Sequence, residues 1–221
     1  MRISLLCVLV CSVAAWGGTF EYALDDGTGN WTIGPSQFDA QMMWGNYFDV
    51  ENGFSTITSI SVSFASGVPV GRPVSLLLFD DPTDDLDPRD AVLVSQAVGT
   101  TAAAEPNTFF TFAIPDADVA GGFFVAALMD LFQHEIPARM DPQNPRGRSW
   151  LFFDGEIDLD DLGSAPVIYN MALTPFNGNW MVRAQAVPEP GAALIMLVGA
   201  ARLGRGRRSK LKDQRSGGKI V

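Results

Sequence analysis

Residues 55–64, Ser-Thr-Ile-Thr-Ser-Ile-Ser-Val-Ser-Phe, decide the fold class. From Ser59 onward, serines alternate with Ile60, Val62 and Phe64, so an extended chain would place apolar side chains on one face and hydroxyls on the other. Elsewhere in residues 18–186 no long window keeps apolar positions at helical spacing, and Gly and Pro recur every few residues. The sequence therefore predicts an all-β domain.

Two continuous apolar runs, residues 73–79 and 122–128, predict central strands covered on both faces. Further strands are predicted in segments bounded by Gly, Pro, Asn or Asp, at 40–50, 91–98, 108–114, 149–153, 166–171 and 180–186. About nine short strands at this spacing predict one two-sheet β sandwich of jelly-roll type over residues 18–186.

The first 17 residues have the three-part layout of a secretory signal peptide: Arg2, an apolar run to Cys11, and small residues up to Gly17. The run is too short to span a bilayer, so we predict cleavage by signal peptidase after Ala15 or Gly17. Both cysteines of the chain lie inside this peptide. The mature protein then has neither a thiol nor a disulfide, and its stability depends on core burial.

Charge is divided sharply along the chain. Residues 18–190 contain no lysine and six arginines against 24 aspartates and glutamates, a formal charge of −18, whereas eight of the 15 basic residues lie in the last 20 positions. Such a body repels nucleic acid and anionic lipid, so we predict no nucleic-acid partner. The same charge suits cation binding or solubility outside the cell.

The C-terminal end has three parts in a fixed order. Pro188, Glu189 and Pro190 come first, an apolar run over residues 191–201 follows, and then come Arg202, Arg205, Arg207 and Arg208. This order resembles the PEP-CTERM sorting signal, which marks an exported protein for an exosortase, a membrane-embedded cysteine transpeptidase. The resemblance implies that the Pro-Glu-Pro residues are recognised, that residues 187–208 are a sorting segment with a short apolar helix, and that residues 209–221 are a basic tail.

The physics of these three parts agrees with transient retention at the inner membrane. Prolines keep the motif extended, the apolar run partitions into the bilayer, and the arginines form a basic stop. The destination implied is the cell envelope or the extracellular medium. The alternative is a core helix or strand followed by a basic tail.

A loop with six aspartates in eleven positions, residues 80–90, joins two predicted strands. Dense carboxylate oxygens are typical of calcium sites, although the glycine and terminal glutamate of an EF-hand are absent. The candidate ligands are Asp81, Asp84, Asp85, Asp87 and Asp90. A solvated acidic turn is the competing interpretation. A second acidic stretch, residues 154–161, fits an exposed strand edge as well as a metal site.

Catalytic residues are not predicted. The only histidine, His134, has no recognisable motif beside it, and a mature chain without cysteine has no thiol nucleophile. We therefore predict a non-enzymatic, structural or adhesive β domain of the cell envelope or extracellular matrix. A carbohydrate-binding module that acts on exopolysaccharide is the alternative, and a glycan-active enzyme comes third. Stacking on sugar rings would need exposed, coplanar tryptophans, whereas a structural domain would bury them; the candidates are Trp31, Trp44, Trp150 and Trp180.

Overall fold

The structure, a computed structural model, describes residues 18–35, 37–103 and 105–189. Within them the regular structure is β throughout, apart from three single-turn 3-10 helices at Pro88–Asp90, Leu162–Ser164 and Met171–Leu173. The all-β prediction is confirmed. The predicted signal peptide, the C-terminal apolar helix with its basic stop, and the basic tail lie outside the described residues. No helix in the described part of the chain is long and apolar enough to cross a membrane.

The strands, in chain order, are β1 (Phe20–Tyr22), β2 (Trp31–Ile33), β3 (Ala40–Asp49), β4 (Thr56–Val62), β5 (Phe64–Gly67), β6 (Pro73–Asp81), β7 (Val92–Thr100), β8 (Phe110–Asp118), β9 (Gly122–Leu131), β10 (Ile136–Asp141), β11 (Ser149–Phe153), β12 (Val167–Asn170), β13 (Asn179–Trp180) and β14 (Val182–Val187). Every strand predicted from the sequence is present, with shifts of a few residues at its ends. The sequence did not predict β1, β2, β5 and β10, and the single strand predicted at 180–186 is divided between β13 and β14.

Three antiparallel sheets contain these strands. The largest has the order β12-β11-β3-β9-β6-β7, and a four-stranded sheet has the order β1-β14-β4-β8. A smaller sheet has the order β13-β10-β2, and β5 also pairs with β10.

The main core contains side chains from both large sheets. Ile60 and Val62 of β4 and Ala184 of β14 lie in one buried cluster with Leu76 of β6 and Val125 of β9. The alternation predicted for β4 is therefore present, with Ser61 on the opposite, partly exposed face. Burial of this apolar surface supplies the main driving force for folding, at about 25 cal/mol per Å².

The six-stranded sheet is also covered on its other face. Alternate residues of β6 divide between two clusters: Leu76 and Leu78 enter the main core, while Leu77 and Phe79 enter a second one. The second cluster includes Ile157 and Leu162 from the segment after β11. The prediction of a central strand buried on both faces is thus confirmed for β6, and the full burial of β9 except Asp130 confirms it there.

The second acidic stretch is the segment that supplies this cover. Ile157 and Leu162 are buried, while Glu156, Asp158, Asp160 and Asp161 are exposed. The interpretation of residues 154–161 as a strand edge is wrong, because β11 ends at Phe153 and none of these residues is in a strand. The pattern alternates because Ile157 and Leu162 pack on the sheet, while the carboxylates around them are exposed to water. We call residues 154–166 the strap.

Candidate functional site

The aspartate-rich loop leaves β6 and reaches β7 through a short 3-10 helix. Asp81 is the last residue of β6 and is 1% exposed. Asp84 and Leu86 follow in left-handed backbone conformation, with φ of 54° and 71°, which folds the loop back on itself. Pro88 begins the 3-10 helix, and Asp87 caps it by accepting from the Arg89 backbone N–H.

Four donors surround the buried Asp81 carboxylate. One oxygen accepts from the Thr83 backbone N–H and hydroxyl, both at 2.9 Å, and the other accepts from the Tyr47 hydroxyl at 2.6 Å and the Asp85 N–H at 3.2 Å. Burial is the largest influence on the pKa of Asp81 and opposes ionisation, but the hydrogen bonds from Tyr47 and Thr83 outweigh it and lower that pKa. Asp81 is therefore a buried anion whose lone pairs are already used.

Three of the five predicted metal ligands come together. Carboxylate oxygens of Asp81, Asp85 and Asp90 lie within 4.8 Å of one another, and Asp85 and Asp90 are exposed. The Thr83 hydroxyl lies 3.1 Å from an Asp90 oxygen. Since Asp81 is saturated by donors, the oxygens open to an incoming cation belong mainly to Asp85 and Asp90.

The other two predicted ligands point elsewhere. Asp87 binds the Arg89 side chain through both carboxylate oxygens. Asp84 lies against Gly121 and Gly122 at the start of β9. A side chain at Gly122 would collide with the Tyr47 hydroxyl, which explains the glycine there. The sequence predicted that carboxylates would be concentrated in this loop, but it could not predict which of them would lie close together.

The remaining chemical candidates stay apart from this loop. His134 is exposed in the turn before β10, with φ of 70°, and its backbone N–H donates to the Pro35 carbonyl. Trp44 and Trp180 are fully buried and Trp150 is 9% exposed, whereas Trp31 is 39% exposed. Three of the four candidate tryptophans thus belong to the core, and no coplanar exposed pair can be built from them.

An apolar cleft of about 670 Å³ was not predicted from the sequence. Its walls come from segments far apart in the chain: the turn before β3, the end of β11, β12, and the 3-10 helix and loop after β12. Phe38, Phe153, Tyr169 and Phe176 line it, and Asp154 is its one charged lining residue among those described. No local sequence pattern could reveal it, because exposed aromatics resemble core residues in sequence.

The described chain ends inside the predicted sorting motif. Val187 pairs with Thr56 as the last residue of β14, one residue beyond the predicted domain boundary. Glu189 then donates its backbone N–H to the Gly53 carbonyl at 3.0 Å, and its side chain accepts from the Ser55 hydroxyl at 2.9 Å. Pro190 and the arginines of the basic stop lie outside the described residues.

The comparisons with known proteins assign no family. No family model matches the chain, and no curated protein matches it. Among solved structures, the clostridial cysteine protease Cwp84 after propeptide cleavage is similar with a TM-score of 0.49 and 12% sequence identity. The match covers 77% of this chain and 40% of that one, so the chain spans about two fifths of the length of that structure.

Proposed function

We propose that the chain is an exported protein whose C-terminal segment is recognised by an exosortase, and whose β domain has a structural or adhesive role in the cell envelope or extracellular matrix. Signal peptidase removes residues 1–17, the apolar segment holds the protein transiently at the inner membrane, and the exosortase cuts near the Pro-Glu-Pro motif. The order of motif, apolar run and arginines carries this proposal. It is supported by the end of β14 at Val187, since the motif begins directly after the last strand of the domain.

We further propose that the two large sheets form a β sandwich of jelly-roll type. A jelly roll is a long hairpin of eight strands rolled up, so that the first pairs with the last and each inner pair follows in turn. The strands β1, β3, β4, β6, β7, β8, β9 and β14 have these pairings: β1 with β14, β3 with β9, β4 with β8, and β6 with β7. The shared core between the two sheets supports the same arrangement.

Calcium binding at the β6–β7 loop stays a prediction. The clustering of Asp81, Asp85 and Asp90 favours it, and the formal charge of −18 would be relieved by a cation. The four hydrogen bonds to Asp81 favour the acidic turn, because they account for its buried charge without an ion. The two explanations differ in whether calcium raises the melting temperature.

Intact-mass measurement of the protein from its native envelope or culture medium tests the sorting proposal. We expect a species that ends close to residues 187–190 and lacks Arg202 and all that follows. Replacing Pro188, Glu189 and Pro190 with alanine should leave export intact but retain the uncut chain in the inner membrane.

The matched control replaces another exposed Glu-Pro pair, Glu105 and Pro106, with alanine, and should be processed like the wild type. Full-length chain ending at Val221 and freely soluble outside the cell would contradict the proposal.

A further inference from the structure

Exposed aromatic side chains are concentrated in one region of the domain. Among the described residues, eleven large hydrophobic side chains are exposed, and five are aromatic: Trp31, Phe38, Phe132, Tyr169 and Phe176. Phe38, Tyr169 and Phe176 line the apolar cleft, and Trp31 meets the ring of Phe176 edge-on at 6.5 Å. Exposed apolar patches of this kind are often sites where a protein binds a ligand or a partner.

Phe132, the fifth exposed aromatic, lines a neighbouring cleft of about 560 Å³. The two clefts have no lining residue in common, but their lining residues are adjacent in the chain: Phe38 and Asp154 line the first, and Asp39 and Glu156 line the second. Residues 38–42 and 153–156 therefore contribute to both an apolar compartment, the first cleft, and a polar one, the second. A ligand that fits both needs an apolar face as well as polar groups.

The polar compartment is rich in hydrogen-bond acceptors. Asp39, Asp130 and Glu156 line it, and Arg72 is its only cation within the described residues. Asp39 uses one oxygen to accept from the Gln133 N–H, and Asp130 uses one to accept from the Gln41 side chain. Across the part of the chain that is described, their second oxygens have no protein donor, so a ligand must bring donors of its own.

Arg72 holds this compartment in shape. Its guanidinium donates to the Asp130 carbonyl, pairs with Glu135 at 3.2 Å, and lies 4.4 Å from the centre of the Phe132 ring. Glu135 in turn accepts from the Phe132 N–H at 2.8 Å. Phe132 is thereby fixed on one side while 57% of its surface stays open.

Charge narrows the ligand class. Nucleic-acid bases also stack on aromatic rings, but their phosphates would meet a surface with four carboxylates around the clefts and a formal charge of −18. Anionic lipids and uronate-rich polymers are repelled for the same reason. An uncharged sugar presents a C–H face to aromatic rings and many hydroxyl donors to carboxylates.

We propose that the two clefts together form a binding site for an uncharged oligosaccharide. Phe38, Tyr169, Phe176 and Phe132 stack on sugar rings, and Asp39, Asp130 and Glu156 accept from the hydroxyls. This site names a ligand for the adhesive role proposed above and rests on that role, but it does not use the tryptophans that the sequence suggested, apart from Trp31 at the rim.

Isothermal titration of the full chain, kept in mild detergent, with cellohexaose, laminarihexaose and mannohexaose tests the site. Hexagalacturonate serves as the anionic counterpart. We expect millimolar or tighter binding of at least one neutral hexasaccharide, and no binding of hexagalacturonate. Phe132→Ala and Phe176→Ala, at rings more than half exposed, should each weaken the association by about tenfold while the chain stays folded, with only a small decrease in melting temperature from the lost contacts with Arg72 and Trp31.

Val98→Ala, at an exposed valine of β7 that lines neither cleft, is the matched control and should bind like the wild type. Absence of binding to all three neutral sugars, equal binding by the ring variants, or preference for hexagalacturonate would each overturn the assignment. Self-association of the chain that the two ring variants abolish would identify a second copy as the occupant and overturn it as well. The intact-mass test does not involve a sugar, so its outcome separates failure of the sorting proposal from failure of this one.

Discussion

Replacing Tyr47 with phenylalanine removes one hydrogen bond from a buried carboxylate and leaves the rest of the β6–β7 loop in place. The Tyr47 hydroxyl donates to Asp81 at 2.6 Å, and both residues are at most 1% exposed. A hydrogen bond to a charged group contributes about 1.5–3 kcal/mol. Since the other three donors remain, we expect the free energy of unfolding to fall by about 2 kcal/mol at neutral pH.

The loss depends on pH in a way that identifies the bond. Hydrogen bonds hold the pKa of Asp81 below its ordinary value of 3.8, so the stability it contributes is present above that value and is lost as the pH falls through the lowered pKa. Burial, and then the hydrogen bond to Asp81, raise the pKa of Tyr47, so wild-type stability also declines above about pH 10. The difference between wild type and Tyr47→Phe should therefore be constant near neutral pH and shrink at both extremes.

Urea unfolding followed by tryptophan fluorescence, at a series of pH values, measures this difference. Tyr169→Phe is the matched control, because Tyr169 is half exposed and its change should alter stability by less than about 0.5 kcal/mol. If the two variants were equally stable, or if the deficit of Tyr47→Phe persisted unchanged however far the pH fell below 3.8, the reasoning about the buried anion would be refuted.

Three further predictions concern the core, the strap and the loop. Residues 18–189 should fold alone, with a β-type circular dichroism spectrum and a melting temperature unaffected by dithiothreitol, because both cysteines of the chain lie before residue 18; a helical spectrum would contradict this. Leu162→Ala should lower the free energy of unfolding by about 2–5 kcal/mol, because Leu162 of the strap is fully buried against the six-stranded sheet, while Leu173→Ala, at an 88% exposed position, should have little effect in the same urea assay. Calcium should raise the melting temperature of the wild type and of Asp87→Asn, whose carboxylate is held by Arg89, but not of the Asp85→Asn, Asp90→Asn double variant; no increase in any of the three would leave only the acidic turn.

The sequence predicted the strands in which the order of apolar and polar residues follows directly from which faces are buried. β6 and β9 are continuous apolar runs because both of their faces are covered, and β4 alternates because one face is polar. β10 was missed although Ile136, Ala138 and Met140 follow the alternation of a strand, because a proline and two charged residues are uncommon in a buried strand. The two charged side chains are tolerated because both have hydrogen-bond partners: Arg139 donates to the distant carbonyls of Phe64 and Gly29, and Asp141 accepts from the backbone N–H groups of the nearby Gln143 and the distant Asp26.

The carboxylate cluster could be predicted in part from the sequence, whereas the aromatic clefts could not. A cluster of carboxylates in the β6–β7 loop follows from six aspartates in eleven residues. Its membership depends on the left-handed backbone at Asp84 and Leu86, which sequence pattern does not specify. The aromatic clefts depend on which phenylalanines stay outside the core, a property of the assembled sheets and not of any one segment.

The pairing of the first and last strands determines what the two proposed cuts would do to the fold. β1 begins at Phe20, three residues after the predicted signal-peptide boundary, and pairs with β14, whose last residue, Val187, pairs with Thr56 of β4. Neither predicted cut therefore removes a strand. A cut after Glu189 would also keep its bonds to Gly53 and Ser55, whereas a cut before Pro188 would lose both. Two hydrogen bonds contribute about 1–3 kcal/mol together, so either of the proposed cuts would leave every described strand in place at a modest cost in stability.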